Sequence, residues 1–292
     1  AEYAGNEQYV YQLLCLGQGE YSIEAIRIED TPISSWDEID YEVIAPGGTV
    51  TKFPTNVTTS GEVSGQELVG SKTGTYSQSG TTTLTVTVTG HGLSTGKTAY
   101  LDFTSGTATD GAYTVTVTGV DTFTITTSAA TTSGDVTLTT YLGAFVANAA
   151  GTAANTLGID VVCPRGLYAY DTGTGALTAK SLTFAVEVQA INDSGAPTGS
   201  WTVLGTETLT DSTTTPQRYS RRYGVTAGRY QVRLRRTDAK DAASTVGHEV
   251  VWAGMRAYLP ETRASGDVTL IAMRMRASNN LSMQASRKIN VV

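Results

Sequence analysis

The residues that could carry chemistry are few, and none of them stands in a recognisable catalytic pattern. Asp37, Glu38 and Asp40 are close in sequence, as a hydrolytic pair of carboxylates would have to be in space. However, Ser35 and Glu38 together match the capping box at the start of a helix, where acids are also favoured. We therefore predict a single helical turn over residues 34–39 and a structural role for these acids.

The histidines and the potential metal ligands do not form a recognisable catalytic or metal-binding pattern either. His91 lies in a Gly-His-Gly-Leu turn and His248 precedes a strand, and neither has a serine or cysteine at a recognisable spacing. Zinc lacks ligands, and calcium could find only Asn192 and Asp193, which an Asx turn explains as well. We expect a non-enzymatic chain with no cofactor and no metal.

Binding surfaces are better candidates than catalytic ones. Aromatic side chains that could stack on the apolar faces of sugars are Trp201, Tyr168, Tyr170 and Tyr223. Packing in a core or an interface is the commoner use of such residues. Three arginines that could grip an anion are Arg229, Arg233 and Arg235. Such a basic face is more often solvated, or it meets the carboxylates of a neighbour. The candidate glycan or partner contacts are therefore Trp201, Tyr168, Tyr170, Arg229, Arg233 and Arg235.

The composition limits the classes of protein to which this chain can belong. Only 16% of the 292 residues are charged, and the chain is rich in Thr, Ser and Gly, which favours strands over helices. The net charge of -7 argues against nucleic-acid binding. Residues 1–45 are strongly acidic and residues 218–240 strongly basic, so the two stretches could face each other or face neighbouring copies. No apolar run approaches the roughly 18 residues of a membrane span, and no cleavable signal peptide is recognisable.

Cys15 and Cys163 each stand beside apolar residues, without CxxC or Cys/His spacing. This pattern favours buried free thiols and leaves a disulfide as the alternative.

Two alternating segments predict the centre of the fold. In residues 228–236, Tyr230, Val232 and Leu234 alternate with the arginines, and residues 181–191 alternate in the same way. Each segment is predicted to be a half-buried strand, and the two are expected to pair in an antiparallel sandwich. Glu187 and Arg233 are expected on the outer, wetted face.

Strand and turn signals divide the rest of the chain. The N-terminal stretch predicts a hairpin of Tyr9–Leu16 and Tyr21–Glu29 around Gly17-Gln18-Gly19; a dinucleotide-binding loop is disfavoured because Ser22 replaces its third glycine. Residues 71–140 predict a small, self-contained barrel or sandwich with five strands at 84–88, 98–103, 112–117, 122–126 and 136–140. Residues 141–260 predict a larger, jelly-roll-like antiparallel sandwich.

Several segments resemble a known family. The opening YVYQLLCLGQGEYSIEAIRIEDTPISSWDEIDYEVIAPGG and the close NNLSMQASRKINVV are similar to the second domain of tail-tip hub proteins of long non-contractile-tailed bacteriophages, the lambda-type host-specificity or tip attachment family. PRGLY at 164–168, TTPQRYSRRYGVTAGRYQVRLRRTDAKD and HEVVWAGMRAYLP resemble an insertion carried by these proteins. Residues 71–140 resemble a mobile β module found in various phage structural proteins.

The resemblance implies an organisation and a role. It implies a mostly β hub domain, with its core at residues 1–70 and 261–292 and two inserted β modules at residues 71–140 and 141–260. Its function would be to scaffold the tail tip and support host recognition and genome delivery, as a homotrimer in the intact parent, with other tail-tip and tail-tube proteins as partners. A host receptor or glycan is a further partner, and a carbohydrate-binding sandwich is the alternative function.

Overall fold

The chain folds almost entirely into antiparallel strands, as its composition predicts. A computed structural model describes residues 2–5, 7–260, 265–278 and 289–292, which form 23 strands and one three-residue 3-10 helix. Within these ranges no helix is long and apolar enough to cross a membrane. The mostly β class is confirmed.

The strands are numbered in chain order. Those of the N-terminal stretch are β1 Glu2–Gly5, β2 Glu7–Gln18, β3 Ile26–Ile28, β4 Thr31–Pro32, β5 Ile39–Ile44, β6 Val57–Thr59 and β7 Gln66–Glu67. The next five are β8 Lys72–Thr87, β9 Thr98–Phe103, β10 Gly111–Thr114, β11 Thr116–Val117 and β12 Thr122–Val146. They are followed by β13 Ala154–Cys163, β14 Tyr168–Tyr170, β15 Leu177–Thr178, β16 Lys180–Ala190, β17 Thr202–Asp211, β18 Gln217–Gly228, β19 Tyr230–Arg236, β20 Val246–Gly247 and β21 Val251–Tyr258. The last two are β22 Val268–Arg276 and β23 Ile289–Val291.

Two large sheets carry the architecture. The first has the order β5-β22-β2-β1-β18-β13-β21-β6, with β7 also paired to β21. The second has the order β10-β9-β12-β19-β16-β17, with β8 and β11 also paired to β12. Each large sheet therefore joins the sandwich strands to a neighbouring part of the chain, through β1 in the first sheet and β12 in the second.

The larger sandwich forms where the two sheets face each other. One layer is β18-β13-β21 and the other is β17-β16-β19 with residues 141–146 of β12. The predicted pairing of residues 181–191 with 228–236 is confirmed, with Val186 opposite Leu234. Val232 and Leu234 are fully buried and share one hydrophobic core with Trp252 of the opposite layer.

The small module has five strands, the number that its sequence predicts, but their bounds differ, and the predicted strand 112–117 is divided into β10 and β11. The predicted strands 122–126 and 136–140 are parts of the single strand β12, and β8 begins 12 residues before the predicted 84–88. Both strands pair along their length, with a register shift near Ala130. They enclose a separate core, which includes Leu84, Phe123 and Leu138. The sheet does not close into a barrel.

The N-terminal hairpin prediction is wrong. Strand β2 pairs with β22 from Tyr9 to Gln18 and with β1 at its first residues, and it does not pair with residues 21–29. The register shifts at Gly17, and the Gly19 backbone N–H donates to the Asp267 carbonyl. The chain turns away from β2 at this point. Strand β3 pairs with β4 and β23 instead.

The predicted capping box is also wrong. The 3-10 turn covers Ile33–Ser35, with Pro32 at its N-cap and no side-chain capping hydrogen bond. The buried side chain of Ile33 packs into a core with Ile26 and Met273, so apolar burial anchors the turn.

The two cysteines differ in their surroundings. Both are free thiols, which confirms that part of the prediction, but Cys15 is exposed on β2. Cys163 is buried, and its burial raises the pKa of the thiol to about 12, so this thiol is unreactive at neutral pH.

We propose that residues 71–140 are a module inserted into a loop of the surrounding domain. In β12, the ladder to β9 ends at Thr140 and the ladder to β19 begins at Tyr141, opposite Arg235. At the other end, the Ser71 backbone N–H donates to the Asp238 carbonyl. Arg235 and Asp238 are three residues apart, so the two ends of the module lie within about 10 Å of each other.

Deleting the module is predicted to leave a folded remainder. With Gly70 joined directly to Tyr141, we expect the melting temperature to fall by only a few degrees, because surface-loop length costs little and the module core is separate. Circular dichroism and a thermal melt of the shortened chain test this. An unfolded remainder would contradict it. The matching expectation that Arg263 lies near Leu68 falls outside the described residues.

Candidate functional site

Three of the six predicted contact residues come together on the outer face of the second sheet. Trp201, Arg233 and Arg235 meet there, on β19 and just before β17. Tyr168 and Tyr170 lie in a separate sheet of β15, β14 and β20. Tyr223 lies on β18 of the first large sheet, so the predicted aromatic platform is divided among three sheets.

The other predicted aromatic and basic residues have local partners. The Tyr223 hydroxyl donates to Glu207, at 2.9 Å. The Arg229 Nε–H donates to the Asn148 carbonyl, and its Nη1–H donates to the Asn192 carbonyl. The Tyr223 contact joins β18 to β17, and the Arg229 contacts link the ends of β12, β16 and β18.

Arg233 is held between two aromatic rings. Its Cζ lies 3.6 Å from the centroid of the Tyr141 ring and 4.0 Å from that of the Trp201 ring. Because a guanidinium is attracted to the face of an aromatic ring, this arrangement fixes all three side chains. Arg235 is stacked in the same way on Tyr100 of the small module, at 3.8 Å.

One buried carboxylate serves both arginines. Glu187 Oε2 accepts from the Nε and Nη2 groups of Arg233, at 2.9 and 2.7 Å. Its Oε1 accepts from Arg235 Nε at 3.0 Å and from the Tyr141 hydroxyl at 3.2 Å. We call Glu187, Arg233, Arg235 and Tyr141 the arginine cluster. Burial, reinforced by Glu187 and opposed by the arginines, raises the pKa of Tyr141.

The prediction of a wetted basic face is therefore wrong at its centre. Arg233 is only 6% exposed and Glu187 only 4%. Alternation along β19 correctly separates the two faces. It does not reveal that Tyr141, Trp201 and Tyr100, from three distant segments, cover the outer one.

A cleft of about 600 Å³ lies beside the cluster. The small module lines one side with Lys72 and the loop from His91 to Thr98, and the sandwich lines the other with Tyr141, Gln189, Trp201, Gln231 and Arg233. We call it the junction cleft. Its volume is within the usual range for ligand sites.

His91 stabilises the loop on the module side. Its Nδ1 accepts the Leu93 backbone N–H, so Nε2 carries the proton and donates to the Gly119 carbonyl, at 3.1 Å. The ring also packs edge-on against Phe123. These contacts fix the conformation of the loop that begins at His91.

A second network, missed in the sequence, lies at the end of β19. Arg236 is completely buried, donates to Asp238 from both Nε and Nη2, and donates from Nη1 to the His248 carbonyl. Asp238 Oδ1 also accepts the Thr183 backbone N–H, and the His248 ring contacts the Ser181 carbonyl. The alternation of the sequence could have predicted that Arg236 is buried, because it lies on the same inward face of β19 as Val232 and Leu234.

Asp238 is an acid held in its ionised form. Burial alone would raise its pKa, but hydrogen bonds from His248, Arg236 and the Thr183 backbone outweigh it and lower the pKa well below its ordinary value. We call Arg236, Asp238 and His248 the clasp, because the Asp238 carbonyl also binds Ser71 at the start of the small module.

Ion pairs join segments far apart in sequence as well as near neighbours. Among the described residues, the ion pair of Glu2 with Arg222 joins the acidic N-terminal stretch to the basic stretch 218–240. Glu2 also accepts from the hydroxyls of Tyr11 and Tyr258. Asp40 pairs with Lys52, close by in sequence. The predicted charge complementarity between the two stretches is thus limited to Glu2, at one end of β1.

Metal ligands are not assembled in the described part of the chain. No three His, Cys, Asp or Glu side chains come together there. Asn192 forms an Asx turn, its Oδ1 accepting from Ser194 and Ala196, and Asp193 accepts the Gly151 backbone N–H.

The fold and site define a mostly β protein in which charged and aromatic side chains hold sandwich units together. Residues 128–261 match the family described as the FNIII-A domain of tip attachment protein J. The matched range covers residues 128–146 of β12 and all of β13 to β21, and it therefore contains both layers of the larger sandwich and the small sheet of β15, β14 and β20. Over this range the chain is similar to a phage tip attachment protein.

Other comparisons are weaker. No curated protein matches the chain. The stem and receptor-binding domain of spike protein P1 from bacteriophage PM2 is 11% identical, with a TM-score of 0.20, over 78% of this chain and 100% of that one. A structure of infectious bursal disease virus, Gx strain, is 9% identical, with a TM-score of 0.20, over 95% of this chain and 78% of that one. Neither likeness carries an argument about function.

Proposed function

We propose that this chain is a non-enzymatic structural domain of a lambda-type tail-tip hub protein, which scaffolds the tip and supports host recognition and genome delivery. Its division into a hub core at residues 1–70 and 261–292 with two inserted modules, and trimer formation by the intact parent, are parts of the same proposal. The match of residues 128–261 to the tip attachment family supports it.

The observation that carries the proposal is the continuity of the sheets. Strand β1 pairs with β2 of the N-terminal part and with β18 of the sandwich, where Ala4 lies opposite Tyr219. Strand β12 runs from the small module into the sandwich. Shared hydrogen-bond ladders hold three units in fixed relation, which suits a scaffold better than a flexible string of domains.

Labelling of intact virions tests this function. A short epitope inserted at Val120, which is 80% exposed at a turn of the small module, is expected to bind antibody at the tail tip in electron micrographs. Quantitative mass spectrometry should count three copies per virion. Label along the tail shaft or on the capsid would contradict the proposal, and a different copy number would contradict the trimer.

A second function, binding of a host cell-surface glycan by the sandwich, is favoured by the position of Trp201 in the junction cleft. A glycan array probed with the purified chain tests it. We expect selective binding that Trp201→Ala abolishes.

A further inference from the structure

The junction cleft is lined by positively charged side chains, although the protein as a whole is acidic. Lys72, Lys97 and Arg233 line it, and no acidic side chain of the described residues does so. Among these residues, neither lysine has a carboxylate partner; the Lys72 ammonium donates to the Gly90 carbonyl. A concave site lined by one sign of charge focuses the field and attracts the opposite charge.

The carboxylate behind the cleft does not cancel this charge. Glu187 is shared by Arg233 and Arg235. Two arginines and two lysines against one carboxylate leave a local charge of +3, although the whole chain carries -7. An anionic ligand is therefore the complementary one.

The polar and aromatic groups of the cleft suit a sugar. Among the described residues the Trp201 indole N–H donates no hydrogen bond, which leaves it available to a ligand hydroxyl. Gln231 and Gln189 are linked by a 2.6 Å hydrogen bond and present amide groups on the floor. The rings of Trp201 and Tyr141 are held by Arg233. Such preorganisation lowers the entropic cost of binding.

The geometry points to the junction cleft as the binding site for an acidic saccharide, a sugar that carries carboxylate or phosphate groups. This inference rests on the proposed glycan-binding role and adds two things to it. The site lies between the small module and the sandwich rather than on the sandwich alone, and the ligand is anionic. Nucleic acid suits the cleft less well, because single strands are bound along an extended basic groove with successive aromatic stacking platforms.

Calorimetric titration of the full chain tests the inference with four probes of defined chemistry. These are a galacturonic acid trisaccharide, glucose 1-phosphate, neutral maltotriose and a thymidine decanucleotide. We expect at least one acidic sugar to bind at least tenfold more tightly than maltotriose, and the two acidic probes distinguish carboxylate from phosphate. Binding should weaken as salt is raised, because screening reduces the attraction.

Charge reversal locates the site. Lys72→Glu with Lys97→Glu is expected to weaken binding at least tenfold. The matched control, Lys52→Glu with Lys180→Glu, changes the net charge equally outside the cleft and should change affinity less than twofold. Lys97→Glu alone, at an exposed position, gives the same readout if the double variant fails to fold.

Three outcomes would overturn the inference: equal binding of maltotriose, absence of binding by both acidic sugars, or loss of binding in the control as well. Preferential binding of the decanucleotide would replace it with a nucleic-acid site. Failure here leaves the tail-tip proposal standing if the epitope still labels the tip. Array binding that persists in the charge-reversed variant would support glycan recognition elsewhere on the sandwich.

Discussion

Glu187→Gln is expected to destabilise the sandwich by about 3 to 5 kcal/mol, the usual cost of removing one member of a buried ion pair. Arg233 and Arg235 have side-chain exposures of only 7% and 13%. Without the carboxylate, two guanidinium groups remain desolvated beside an amide that cannot neutralise them. Urea unfolding followed by tryptophan fluorescence measures the change, since Trp252 lies in the sandwich core.

A matched control distinguishes burial from pairing. Glu67 pairs with Lys240, and their side chains are 36% and 40% exposed. Glu67→Gln is expected to cost less than about 1 kcal/mol, because exposed ion pairs contribute little. If both variants behave alike, the arginine cluster is not desolvated in solution. Adding Arg233→Met to Glu187→Gln should recover part of the loss, because it removes one of the uncompensated charges.

The core of the sandwich could be predicted from sequence because alternation reports directly which side chains share a face. The pairing of β16 with β19 and the inward faces of Val232 and Leu234 follow from spacing alone. The burial of the outer face could not be predicted in this way. Tyr100 and Tyr141 come from segments far from Arg233 in sequence, and only the completed sheet brings them over the arginines.

The same limit explains the errors in the small module and at the N-terminus. Residues 127–135 are rich in Ser, Thr and Ala and contain Gly134, so they resemble a turn, yet they continue β12 because β8 pairs beside them. The residues around Gly17 have the local pattern of a hairpin, with an apolar alternating segment on each side of a glycine-rich turn. Long-range pairing replaces the hairpin, since β2 pairs with β22, more than 250 residues away, and residues 26–28 pair with β4 and β23.

Asp238→Asn is expected to destabilise the chain at neutral pH by about 3 to 5 kcal/mol, because it leaves the fully buried Arg236 without its charge partner. The amide keeps the size of the side chain and one acceptor for the Thr183 N–H. The loss therefore reports mainly the charge. Asp241→Asn, three residues further along the same loop, removes a more exposed carboxylate paired with Lys180, and it should change stability much less.

The pH dependence gives this prediction a sharper test. The pKa of Asp238 is lowered in the folded state by the hydrogen bonds of the clasp, against the effect of burial. Its contribution is therefore fully present above the unfolded pKa of about 3.9 and is lost as pH falls towards the lower folded pKa. We expect the stability gap between the wild-type chain and Asp238→Asn to be constant from about pH 7 to pH 5 and to narrow below about pH 4. A gap that stays constant to pH 2.5 would show that Asp238 is not held ionised by the clasp.

The clasp also links this stability to the junction cleft. The Asp238 carbonyl accepts the Ser71 N–H, and Lys72, the next residue, lines the cleft. Gly70 packs so closely against the Lys240 backbone that an added Cβ would lie 2.2 Å from its nitrogen. Loosening the clasp should therefore displace Lys72 relative to Trp201. Asp238→Asn is expected to weaken binding of the acidic saccharide at neutral pH, whereas Asp241→Asn should not, and calorimetric titration of both variants measures the difference.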